Sequence, residues 1–123
     1  MKYTFDLDND SNDNFERNGD NICRIYVFDK DKKIINNCTV QIFLSKNGLI
    51  GMGTELIRLA HKFYVGKHIH MDPPSEKEDI VQRLGVYLTP ESTPTIVLCE
   101  QGEDIDEIIE QDKKLLKSNR DNC

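Results

Sequence analysis

Apolar residues in this chain come in short runs of two different periodicities, and the order of those runs restricts the fold more than any other feature. Residues 22–28 (Ile-Cys-Arg-Ile-Tyr-Val-Phe) and 38–44 (Cys-Thr-Val-Gln-Ile-Phe-Leu) are rich in β-branched and aromatic residues and predict two strands. The charged stretch 29–33 between them reads as a turn. Residues 3–7, 67–71, 85–89 and 95–99 are further strand candidates, the last two separated by a segment that holds Pro90 and Pro94. Helical spacing appears at Leu56, Ile57, Leu59, Ala60, Phe63 and Tyr64, which predicts a helix capped by Thr54 and closed by Gly66. Asn47-Gly48, Gly51 and Gly53 read as breaks before it. Ser75 and Glu78 fit a capping box for a short helix carrying Ile80, Val81 and Leu84 and stopping at Gly85. A last helix over 104–117 shows the stripe Ile105, Ile108, Ile109, Leu115 and Leu116, with acids in its first turns and lysines at its end, as the helix dipole favours.

Strands are not followed strictly by helices, so a doubly wound parallel sheet is disfavoured. The pattern predicts an α+β fold: a mixed or mostly antiparallel sheet with two to three packed helices. At 123 residues the chain has the size of a single domain, 1–123, with an acidic N-terminal segment (1–21) and a frayed tail (118–123). The expected core combines Ile25, Val27, Val40, Ile42, Leu56, Leu59, Phe63, Ile96, Leu98, Ile105 and Ile108. No apolar run is long enough for a membrane span, and the N-terminus lacks the apolar stretch of a secretory signal, which points to the cytoplasm. In that reducing compartment Cys23, Cys38, Cys99 and Cys123 are expected as reduced thiols, three of them in or beside apolar runs.

The net charge of −6 is unevenly placed. Residues 1–21 carry six acids against Lys2 and Arg17, and residues 100–112 carry seven acids and no base. Such a surface repels phosphates and argues against nucleic-acid binding; it steers a basic protein partner instead.

No constellation reaches credible catalytic or metal chemistry. His68-Ile69-His70-Met71-Asp72 has the look of an H-x-H-x-D zinc motif, and two His at i, i+2 share a strand face. The only other histidine is His61, and no third ligand completes the set. No serine lies in a G-x-S-x-G setting. The series Asp6, Asp8, Asp10 starts like a calcium loop, but Ser11 and Arg17 stand where Gly and Glu are needed. Gly48, Gly51 and Gly53 match neither phosphate-binding glycine pattern. No cofactor, metal or catalytic residue is therefore expected. The predicted strands suggest a binding surface instead. Cys23, Ile25 and Val27 share one face of the first strand and Arg24, Tyr26 and Phe28 the other; Thr39, Gln41 and Phe43 share one face of the second. Such a face either binds a partner, since Tyr, Phe and Arg are enriched at partner-binding surfaces, or is covered by the last helix; the two readings are equally open here. Candidate partner-binding residues are thus Glu100, Glu103, Asp104, Glu107, Glu110 and Asp112 for steering, with Tyr26, Phe28 and Phe43 as aromatic anchors.

The stretch from Gly51 to His61 (Gly-Met-Gly-Thr-Glu-Leu-Ile-Arg-Leu-Ala-His), with Gly85-Val86-Tyr87-Leu88-Thr89-Pro90 and Ile96-Val97-Leu98-Cys99-Glu100 downstream, resembles bacterial immunity proteins. These are small cytosolic inhibitors encoded beside the toxins of contact-dependent growth inhibition and related polymorphic systems. The resemblance implies that the partner is the C-terminal domain of a cognate toxin, often a nuclease, whose active site or substrate groove is blocked. It implies no particular residue. Two other readings stay open at this level: an adaptor or regulatory subunit for another protein, and a small enzyme built on an unrecognised cluster such as His68, His70 and Cys99.

Overall fold

The computed structural model describes residues 2, 4, 21–76, 80–102, 104–118 and 121–122. These form two compact units, one from Ile42–Gln101 and the other from the flanking segments. Among the described residues the elements are two helices and small, mostly antiparallel strands, an α+β fold as the sequence predicts.

In the first unit, α1 (Lys46–His61) packs against a hairpin of β4 (Gln82–Arg83) and β5 (Val86–Tyr87), and β3 (His68–Met71) pairs antiparallel with β6 (Thr95–Leu98). The core is Met71, Leu84 and Val86, with Leu44, Met52, Ile69, Leu88 and Val97 packed on it.

Helix α1 starts earlier than its apolar spacing predicts. Ser45 is the N-cap, its Oγ accepting from the Gly48 amide at 3.0 Å, which satisfies an otherwise orphaned donor. The three glycines read as breaks lie inside the helix. Thr54, expected as the cap, sits mid-helix and donates its hydroxyl to the Ile50 carbonyl at 2.7 Å. The helix ends at His61, so Gly66 does not close it; at φ +91° Gly66 serves the turn into β3 and donates its amide to the Cys99 carbonyl.

The short helix expected after Ser75 is also corrected where the structure describes it. Residues 77–79, Glu78 among them, lie outside the described residues, but Gln82–Arg83 is a strand. Leu84 and Gly85 follow with φ +51° and +77° between the paired residues Arg83 and Val86, which is the two-residue turn of a tight hairpin. A leucine is costly in that conformation; its side chain is 7% exposed in the core, and that burial offsets the strain.

In the second unit, β1 (Val27–Phe28) pairs antiparallel with β2 (Ile34–Asn36) across the predicted turn, where Asp29 Oδ1 accepts from the amides of Asp31 and Lys33. Strand β7 (Asp121–Asn122) runs parallel to β2, and α2 (Ile105–Ser118) completes the unit. The strand expected over 38–44 does not form: residues 38–44 pair with no strand among the described residues, and the hairpin partner of β1 is the shorter run Ile34–Asn36. The strand expected at 3–7 falls largely outside the described residues.

The expected core is largely overturned. Of its eleven members only Leu59 (9% exposed) and Ile108 (3%) are buried; Ile25, Val40, Ile42, Leu56, Phe63, Ile96, Leu98 and Ile105 are exposed. With short strands and separate small sheets, much of the apolar surface has no opposing layer. The expectation of reduced thiols is corrected at one position. Cys23 and Cys99 are free, whereas Cys38 is disulfide-bonded. Compartment speaks to redox environment, not to which sulfur atoms a fold brings together.

Candidate functional site

Two surfaces draw on the residue types that bind partners. The first lies in the unit of β1, β2 and α2. On α2, Ile108, Asp112 and Leu116 recur every four residues and form the inward stripe, with Ile108 buried. Asp112 Oδ1 accepts from Arg24 Nη1 at 3.2 Å and from the Tyr26 hydroxyl. Arg24 also lies 5.7 Å from the centre of the Tyr26 ring, within cation–π range. Partial burial, and then the hydrogen bond to Asp112, raise the Tyr26 pKa above its ordinary value, although Arg24 works against them. Phe28 packs edge-on to Tyr26 at 6.3 Å between ring centres and is itself 57% exposed. A cavity of about 600 Å³ opens beside this cluster, lined by residues 23–27 and 34–40 with Asp112 and Leu116.

The outward side of α2 is acidic. Asp104 precedes the helix, its side chain accepting from the Asp106 amide at 2.9 Å and its carbonyl from the Ile108 amide, so this acid works as a cap. Asp106, Glu107 and Glu110 are exposed, and Glu110 forms an i, i+3 pair with Lys113 at 3.3 Å. Asp112 is instead turned inward onto Arg24 and Tyr26. Glu103 lies outside the described residues.

The second surface lies in the unit of α1 and β3–β6, and contains the other two predicted residues. Phe43, 88% exposed, stands just before α1, and Glu100 is exposed just after β6. The structure therefore brings Tyr26, Phe28 and Asp112 into one cluster and places Phe43 and Glu100 in the other unit.

Sequence reasoning put His68 and His70 on one strand face but missed that Ile96 and Leu98 lie beside them on the outward face of the β3–β6 pair. In the observed register His68 faces Leu98 and His70 faces Ile96, and all four are exposed. The imidazoles meet edge-on at 4.9 Å, and His68 Nδ1 lies 3.2 Å from the Gly66 carbonyl oxygen. Among the described residues no group of three or more His, Cys, Asp and Glu is placed to hold a metal ion. The run Thr-Ile-Val-Leu is apolar on both faces, so alternation gave no sign of which side was outward. Outer α1 went unread in the same way: Leu49, Ile50, Leu56 and Ile57 are all exposed.

Residues 39–100 match the family model described as Immunity protein 32. The matched segment is 62 residues long (39 through 100), about half of the 123-residue chain. The chain belongs to the Immunity protein 32 family. No curated protein and no solved structure matches it. The Immunity protein 32 segment nearly coincides with the unit Ile42–Gln101, so α1 and β3–β6 fall within it. Phe43 and Glu100 lie inside the matched segment, while Tyr26, Phe28 and the acids of α2 lie outside it. No helix among the described residues is long and apolar enough to cross a membrane.

Proposed function

We propose that this immunity protein binds the C-terminal domain of one cognate toxin and neutralises it by occupying its active site or substrate groove. Membership of the Immunity protein 32 family is the observation that carries this reading. The toxin is a basic domain, a nuclease being the chemistry that best matches an acidic inhibitor. Supporting this are the net charge of −6 and the exposed carboxylates Asp106, Glu107 and Glu110 on α2. The chain acts as a stoichiometric inhibitor and not as an enzyme, in the cytoplasm of the cell that makes the toxin. The acidic side of α2 speeds encounter, and exposed aromatics such as Phe28 and Phe43 set the lifetime of the complex.

Association rates measured at low and high salt test the reading, using the toxin domain encoded directly upstream. The on-rate is expected to fall with salt and with Glu103, Glu107 and Glu110 changed together to Gln, while the off-rate changes little. An on-rate indifferent to both removes the electrostatic part of the proposal.

A further inference from the structure

Among the described residues, no strand pairs with the edge of β6 that faces away from β3. The Cys99 amide donates to the Lys67 carbonyl at 2.7 Å and the Cys99 carbonyl accepts from the Gly66 amide at 2.9 Å, so Gly66 and Lys67 together face Cys99 in a bulge that ends the ladder on a bonded position. Bonded and non-bonded pairs alternate along such a ladder. Ile69–Val97 and Met71–Thr95 are then bonded pairs, and His68–Leu98 and His70–Ile96 are not. The N–H and C=O groups of Ile96 and Leu98 therefore point away from β3. Among the described residues β6 pairs with β3 alone. The side chains of Ile96 and Leu98 are 52% and 63% exposed. Natural sheets usually protect such an edge with a lysine, a proline or a bulge, but Thr95–Leu98 contains no charge and no proline.

The surroundings indicate what fits. On the outer edge of β3 the corresponding positions are His68 and His70, flanked by Lys67 and Asp72, a mixed setting. Strand β6 is bracketed by Glu91 and Glu100, and no Lys or Arg occurs between Arg83 and Lys113. An incoming strand with cationic flanks and apolar residues toward Ile96 and Leu98 is complementary in both backbone and charge.

We infer that an extended segment of the toxin domain, flanked by Lys or Arg, adds to β6 as a third strand of the β3–β6 sheet. This rests on the toxin-binding reading above. Backbone hydrogen bonds to Ile96 and Leu98 provide the attachment, and the two exposed aliphatic side chains provide selectivity.

Amide hydrogen exchange of the full-length protein, free and bound to the toxin domain encoded directly upstream, tests the inference. The Ile96 and Leu98 amides should slow by about tenfold or more on binding, while Val97, already bonded to Ile69, changes little. An Ile96→Pro variant removes an outward donor and leaves the ladder to β3 intact, so it should weaken binding by about tenfold or more with little change in melting temperature. If the wild-type protein binds the toxin while exchange at Ile96 and Leu98 is unchanged, the added strand is ruled out and toxin binding stands. If the wild-type protein forms no complex, both fall. Should Ile96→Pro fail to fold, the exchange data decide alone.

Discussion

Gly51 of α1 and Gly85 of the β4–β5 turn meet backbone to backbone. A Cβ on Gly51 would lie 2.1 Å from the Gly85 carbonyl oxygen, and one on Gly85 would lie 2.2 Å from the Gly51 carbonyl oxygen. Neither neighbour is a side-chain end that can swing aside, so the helix and the hairpin can approach this closely only with glycine at both positions. Gly51→Ala is expected to destabilise the fold by about 2–4 kcal/mol through overpacking. Gly53→Ala, where nothing lies within 4 Å, is the matched control. It should stabilise by about 0.5–1 kcal/mol, because alanine loses less backbone entropy in a helix. Urea unfolding of the two variants checks the pair; equal effects would contradict the close approach.

This contact also explains why the start of α1 was misread. Gly48, Gly51 and Gly53 are strong breakers in a sequence, yet Ser45 caps the helix and Gly51 is needed for the approach to Gly85. The same physics hid the turn after β4: Leu84 is a poor choice for positive φ and is held there by core burial. What was legible was local. The α+β class, the turn at 29–33, β3, β6 and α2 all follow from periodicity and turn chemistry. The core was not legible, because which face of 95–98 or of α1 turns inward depends on long-range pairing that apolar content alone does not specify. In the candidate site the acids of α2 were visible as composition. That Asp112 turns inward to Arg24, 88 residues away in the chain, was not.

Leu59 and Leu56 lie one turn apart on α1, but Leu59 is 9% exposed and Leu56 39%. Leu59→Ala should cost about 2–3 kcal/mol, and Leu56→Ala under about 1 kcal/mol. Similar losses at both positions would show that the buried face of the helix is wrongly assigned.

Asp112 joins α2 to the segment before β1 through Arg24 and Tyr26. The Arg24 and Asp112 side chains keep 23% and 30% of their exposure, so the pair is screened and its coupling should be about 0.5–1 kcal/mol. A double-mutant cycle of Arg24→Ala and Asp112→Ala measures it. Additive losses would mean that the pair contributes nothing beyond its separate members.

Tyr26 should give this cluster a pH signature. Burial and the bond to Asp112 raise its pKa above the ordinary 10.0. Below pH 10 the folded and unfolded chains both hold the phenolic proton, and the contribution of Tyr26 to stability is complete. As pH rises from there through the folded-state value, the unfolded chain ionises first and stability falls. Asp112→Ala should bring the phenol titration of Tyr26 back toward 10, as followed by ultraviolet absorbance with Tyr26→Phe identifying the signal. A titration unmoved by Asp112→Ala would separate the phenol from that carboxylate.

The most direct measurement is a titration of the toxin domain encoded directly upstream with this protein, reading toxin activity. Activity should fall linearly to near zero at one equivalent and return as the complex dissociates, with the toxin recovered unmodified. Undiminished activity at a large excess of the protein would contradict neutralisation, and a chemically altered toxin after substoichiometric addition would contradict a purely binding inhibitor.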